Sequence, residues 1–215
     1  MNGLMRLMIV STIIIALANI IINFYVLLKA YPKIVLPILI VFVIGIYWIN
    51  SNAEPIKTSE LRAVYINELK SYVGTQYYWG GETHLGIDCS GLARTAFWQT
   101  MLKVGISKHN FHLLVPILWK FWWRDLSASD MEDGKYNYTK HIGKADKLAG
   151  YNNKNLLPGD IAIPGRSHVL IYLGDNQWIE ASPEDNKVVI NKAVLNSKRS
   201  YFNMKTEFVR WWIME

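Results

Sequence analysis

The chain has 215 residues, 51% of them hydrophobic, a net charge of +6 and one cysteine, Cys89. That length allows one medium domain with an appendage, and a single cysteine excludes an internal disulfide and a four-cysteine zinc site. Three of the 23 Lys and Arg residues lie in the first 50 positions, leaving 20 against 17 acidic residues spread along the rest, with no clustered basic face of the kind that grips nucleic acid.

Residues 1–50 read as a membrane anchor. Residues 7–28 carry no charge and, as a helix, would span roughly 33 Å, enough for a hydrocarbon core of about 30 Å. A polar turn at 29–33 contains Lys29, Pro32 and Lys33. A second apolar run, 34–49, ends in Tyr47 and Trp48, aromatic residues suited to the head-group level. The expectation is two transmembrane helices joined as a hairpin. Lys29 and Lys33 favour a cytoplasmic turn over the tail with Arg6, which puts the remaining chain outside the cytoplasm. Two alternatives stay open: a cleaved signal peptide ending near Ala16-Leu17-Ala18, and a buried or re-entrant helix for the shorter second run.

Residues 51–58, with Pro55, read as a linker, and 59–215 as one folded domain. A helix is expected over 59–72, capped by Ser59, with Leu61, Val64, Tyr65, Leu69 and Tyr72 at helical spacing. Residues 77–86 are rich in glycine turns. Residues 90–102 read as a second helix. An insertion spans about 104–155. Its stretch 111–123 holds Trp119, Phe121, Trp122 and Trp123, read most simply as a packing face and more sharply as a surface for membrane or carbohydrate. Residues 127–150 are polar and read as loop with a short helix. The period then becomes strand-like over 160–163, 168–173, 178–181, 187–190 and 208–213, with a hairpin turn at Gly174-Asp175-Asn176. Helices first and short strands after read as α+β, an antiparallel sheet packed on a helix.

Cys89 stands where a loop enters a helix, just after Asp88. First-turn N–H groups and the helix dipole favour a thiolate there and can hold an oxyanion. His168 opens an apolar strand and can act as base. Glu180 sits across the following turn, where a carboxylate could orient the imidazole by accepting its Nδ1–H. The other histidines, His84, His109, His112 and His141, lack metal-ligand spacing, and no cofactor is called for.

Tyr77-Tyr78-Trp79-Gly80-Gly81 and Gly86-Ile87-Asp88-Cys89-Ser90-Gly91-Leu92 resemble the signature of NlpC/P60 cysteine peptidases. Leu157-Pro158-Gly159-Asp160 and the run from His168 to Gly174 resemble that family's later blocks, in the same order. The resemblance covers roughly 59–190. It implies a papain-like fold and cleavage of peptidoglycan stem peptides, often next to D-glutamate. It also implies that Cys89 is the nucleophile, His168 the base and Glu180 the third catalytic residue, with Tyr77, Asp88 and Ser90 lining the substrate site. Glu180 departs from the family's usual His, Asn or Gln, about 50 residues separate the Cys89 helix from the Pro158 turn, and the stretch 111–123 has no family counterpart. The expected partners are peptidoglycan peptides and a lipid bilayer. Two other readings remain: a thiol amidase or acyltransferase on a lipid-linked substrate, and a non-enzymatic module that binds wall peptides.

Overall fold

The computed structural model describes residues 3–51 and 53–215; the side chains of Arg6 and Trp48, invoked above for topology and interface, and Asn52 of the linker lie outside the described residues. Two compact units are present, Met1–Glu54 and Pro55–Glu215.

The described part of the first unit holds two helices, α1 at Gly3–Ala30 and α2 at Pro32–Ser51. The expected turn at 29–33 is tighter than the sequence suggested. Only Tyr31 separates the helices, and its N–H bonds to Leu27 O while its carbonyl accepts from Val35 N–H. Pro32 marks the break because it fits a first helical position and lacks an N–H to continue the ladder. The stretch Leu7–Ala30 is long and apolar enough to cross a membrane; the apolar part of α2, Pro32–Gly45, is shorter. Apolar side chains such as Ile14, Ile21, Ile38 and Phe42 stand exposed.

In the second unit, α3 (Thr58–Ser71) and α4 (Cys89–Ser107) pack together against one face of a six-stranded sheet. Between them lie the two-residue strands β1 (Glu82–Thr83) and β2 (Gly86–Ile87), a small ladder inside the glycine-rich loop. The large sheet contains β3 (Thr139–Ala145), β4 (Ile161–Pro164), β5 (Leu170–Gly174), β6 (Gln177–Ser182), β7 (Lys187–Lys192) and β8 (Thr206–Trp211). Its order is β3-β8-β4-β5-β6-β7, antiparallel at every pairing. Side chains alternate between the faces. Ile161, Ile171, Ile179 and Val209 meet the helices. Ala162, Leu170, Trp178 and Phe208 meet a layer of loop residues that includes Leu148 and Phe202. Asp175 and Asn176 both take positive φ, 50° and 57°, as a tight two-residue hairpin requires.

Two local expectations change. Helix α3 begins one residue early, with Lys57 rather than Ser59 in the capping position and no side-chain cap bond. The region 127–150 is more than loop and short helix, because 139–145 forms the edge strand β3 beside β8. The insertion also contains α5 (Phe111–Trp123), which buries Leu114, Ile117 and Phe121. Phe121 joins an aromatic cluster with Phe97 of α4 at 5.1 Å between ring centroids and Tyr138 at 4.7 Å. Gly105 allows this helix crossing, since a Cβ there would lie 2.9 Å from the Leu114 side chain.

The Pro158-Gly159-Asp160 turn is tied to two distant segments by one fully buried carboxylate. Arg210 of β8 donates to both Asp160 oxygens at 2.7 Å. Arg62 of α3 donates to Oδ1 at 3.3 Å and to Pro158 O at 2.7 Å, and Leu157 N–H donates to Oδ2 at 2.8 Å. Removing one partner of a buried ion pair strands the other charge and costs about 3–5 kcal/mol. Asp160→Ala should therefore destabilise the fold by that amount in denaturant titration. A change below about 1 kcal/mol, the scale of a surface pair, would show that the cluster does not hold the sheet to α3.

Candidate active site

Cys89 occupies the first position of α4, and Asp88 is its cap. The Asp88 carboxylate binds in three directions. Oδ1 accepts from Gly91 N–H and, at 2.9 Å, from the Ser90 hydroxyl; Oδ2 accepts from Gly80 N–H at 2.9 Å. The same carboxylate thus caps the helix and pins the glycine loop beside it. The first α4 ladder bond runs from Leu92 N–H to Asp88 O. The N–H groups of Cys89 and Ser90 therefore lie outside the helical ladder, as first-turn donors do. Gly91 has no room for a side chain, since a Cβ would come within 2.3 Å of Gly81 O. Cys89 itself is a free thiol, 7% exposed.

His168 and Glu180 come from the far side of the loop-to-sheet connection. His168 lies two residues before β5, later in starting than the sequence suggested, and Glu180 is in β6. Both are buried, 2% and 1% exposed. His168 Nε2 and Glu180 Oε2 lie 2.7 Å apart. The carboxylate thus engages Nε2, not the Nδ1 expected from sequence. Cys89 lies near enough to interact with the imidazole and raise its pKa, and with Nε2 occupied the ring has Nδ1 to offer it. Burial pushes the His168 pKa down, but hydrogen bonds to Cys89 and Glu180 and the negative charges there outweigh it and raise it from 6.5 to about 9.

Three residues that carried no motif complete the surroundings. Tyr201, from a single 3-10 turn at Tyr201–Asn203, stacks on the His168 ring at 3.9 Å and 15°. Asn191 Nδ2 donates to Glu180 Oε1 at 3.1 Å, and Arg199 approaches the same oxygen at 3.5 Å while pairing with Asp185 at 2.6 Å. Tyr77, half-buried, is also drawn in. Burial first, then the negative charge of Cys89 and Asp88, pushes its phenol up to about 12. Tyr201 moves the same way, by burial and then by the charge of Cys89. Of the residues expected at the site, Cys89, His168, Glu180 and Tyr77 share one electrostatic neighbourhood. The Asp88 carboxylate and the Ser90 hydroxyl instead bond within the chain, Ser90 also accepting from Arg94 at 3.0 Å. Among the described residues no group of three or more His, Cys, Asp or Glu could hold a metal ion.

A family model for the NlpC/P60 family matches residues 74–207, more than half of the chain. The chain belongs to the NlpC/P60 family. No curated protein matches it. Solved structures similar to this NlpC/P60 chain include the NlpC/p60 domain of the peptidoglycan hydrolase SagA, at 21% identity, covering 69% of this chain and 97% of that one with a TM-score of 0.40. The peptidoglycan hydrolase RipB from Mycobacterium tuberculosis matches at 24% identity, 74% and 67% coverage and a TM-score of 0.43. The P60 domain of an antigen from M. avium subspecies paratuberculosis matches at 22% identity, 74% and 99% coverage and a TM-score of 0.46.

A group whose folded pKa is raised stabilises the fold fully below its ordinary value and loses that contribution as the pH rises through the folded value. For His168 the window runs from 6.5 to about 9. The side-chain NMR signal of His168 should therefore titrate near pH 9, and folding stability should fall across that window. Glu180→Gln should move the midpoint down by about a unit or more, because the charge that holds the proton is gone. A midpoint near 6.5 in both proteins would show that the buried pair does not hold the proton.

Proposed function

We propose that this NlpC/P60 protein is a cysteine peptidase that cuts peptide bonds in peptidoglycan stem peptides, with Cys89 as nucleophile, His168 as proton carrier and Glu180 as the residue that orients and charges the imidazole. The buried His168–Glu180 contact at 2.7 Å, with Cys89 on the same imidazole, supports this reading most strongly. A protonated imidazole beside a thiol forms the ion pair from which a thiolate can attack. The sulfur bonds to the substrate carbonyl carbon, and the oxygen takes the electron pair. The N–H groups of Cys89 and Ser90 at the start of α4 can stabilise that oxyanion. As the C–N bond breaks, His168 gives its proton to the leaving amine. Neutral His168 then takes a proton from water, hydroxide adds to the thioester, and the thiolate leaves with a carboxylate product.

In this reading Tyr77 lines the substrate site beside the sulfur. Asp88 and Ser90 support its wall through the cap and the glycine loop. A module that only binds wall peptides would have no use for a buried ion pair whose desolvation is costly. An acyltransferase would share the first half of the reaction and differ in its acceptor. SagA and RipB are peptidoglycan hydrolases by name, and that substrate also sets the side of the membrane. We place the second unit outside the cytoplasm, with the α1–α2 hairpin as the anchor.

The test is digestion of purified stem-peptide fragments by the full-length protein in detergent, read by mass spectrometry. Wild type should release new peptides with free amines and carboxylates, and Cys89→Ala and His168→Ala should release almost none. Glu180→Gln should lower kcat/KM roughly 10- to 30-fold, the worth of the charge in a charge-assisted hydrogen bond. If wild type yields no product beyond the Cys89→Ala background, the peptidase reading fails. If peptides are joined to an added amine or lipid instead of hydrolysed, the acyltransferase reading replaces it.

A further inference from the structure

Helix α5 is apolar on two sides, and the domain covers only one of them. Leu114, Ile117 and Phe121 face the core. Val115, Trp119 and Trp123 recur every four residues, so they line one stripe of the helix. They are 60%, 62% and 36% exposed. The two indoles touch, with centroids 5.5 Å apart at 67°. Lys120 stands exposed beside them, and Arg124 follows at the end of the helix, stacked over Tyr136 at 4.4 Å. No acidic residue falls within α5. Large apolar rings flanked by cations on an exposed helix face suit the boundary between lipid head groups and tails. There an indole keeps its N–H wet and its ring dry, and a basic side chain meets anionic phosphate.

We propose that this stripe docks on the surface of an anionic lipid bilayer, the same bilayer that holds α1 and α2. The proposal rests on the anchoring read above, and the chain's own connectivity supports it. The Ile56 side chain packs on the domain core, so the connection from Ser51 to Ile56 is five residue steps and reaches at most about 18 Å. The tether enters α3 at Thr58, and Glu60 in its first turn lies 3.5 Å from Lys108 at the end of α4. Helix α5 begins three residues later, at Phe111, and its 13 residues run about 20 Å. The attachment point and the start of the exposed stripe therefore lie on the same part of the domain. A tether shorter than the domain's own width of about 30–40 Å keeps that part near the membrane.

The test uses the full chain in vesicles of phosphatidylcholine and phosphatidylglycerol with acyl chains brominated near the head groups, which quench tryptophan on contact. Subtracting the emission of W119F/W123F from that of wild type isolates these two indoles from the other seven tryptophans. The difference emission should be strongly quenched, and less so when phosphatidylcholine alone is used. Val115→Glu, an exposed change, should also weaken the quenching while leaving the digestion of stem peptides intact. An unquenched difference from protein that floats with the vesicles would overturn the docking and leave the anchor standing. Cross-linking of the stripe to a second copy, with the difference still unquenched, would overturn it likewise. Protein that does not float at all would overturn the anchoring and the docking with it.

Discussion

Everything at the site depends on where one sulfur stands, and one carboxylate holds it there. Asp88 caps α4 through Gly91 N–H, grips the Ser90 hydroxyl and ties down the loop through Gly80 N–H. An ordinary helix cap satisfies an orphan donor and contributes about 1 kcal/mol. This one also fixes the approach of the loop to the helix, which is so close that a Cβ on Gly91 would fall 2.3 Å from Gly81 O. The result is a cysteine at a helix N-terminus, with the Cys89 and Ser90 N–H groups outside the helical ladder.

The opposite wall of the site is electrostatic. His168 and Glu180 are both buried, where an unpaired charge would be expensive, so each is useful only with the other. Asn191 and Arg199 bind the second Glu180 oxygen, and Tyr201 covers the imidazole face, so the ring has little freedom to turn. Asp160 is a separate device. Its two arginines bind the sheet to α3 far along the chain from the sulfur, which explains why an aspartate in the Pro158-Gly159 turn can be buried completely.

Much of this was legible in sequence because the deciding contacts are local. Helical spacing marked α3 and α4, alternation marked β4 through β8, and the Gly174-Asp175-Asn176 turn demanded positive φ where it occurs. The loop around Cys89 carried its own signature. What escaped reading was non-local or weakly patterned. Strand β3 is an edge strand of Thr139-Lys140-His141-Ile142-Gly143-Lys144-Ala145, too polar to show alternation and interrupted by a bulge. The choice of Nε2 over Nδ1 depends on how β5 and β6 present two side chains, which spacing cannot supply. Tyr201, Asn191 and Arg199 arrive from stretches with no motif, and only the folded loop layer brings them to His168 and Glu180. The aromatic stretch of α5 stood between two readings in sequence, and the fold divides it: Phe121 is core, while Trp119 is exposed.

The central claim is that Cys89 forms a covalent bond with the substrate's acyl group. Rapid acid quenching of wild-type protein mixed with stem peptides, followed by intact mass measurement and peptide mapping, tests it most directly. The account predicts a transient mass gain equal to the acyl half of the cleaved peptide, located on Cys89 and absent from Cys89→Ala. Turnover of the peptide with Cys89 unmodified at every quench time, and undiminished in Cys89→Ala, would contradict it.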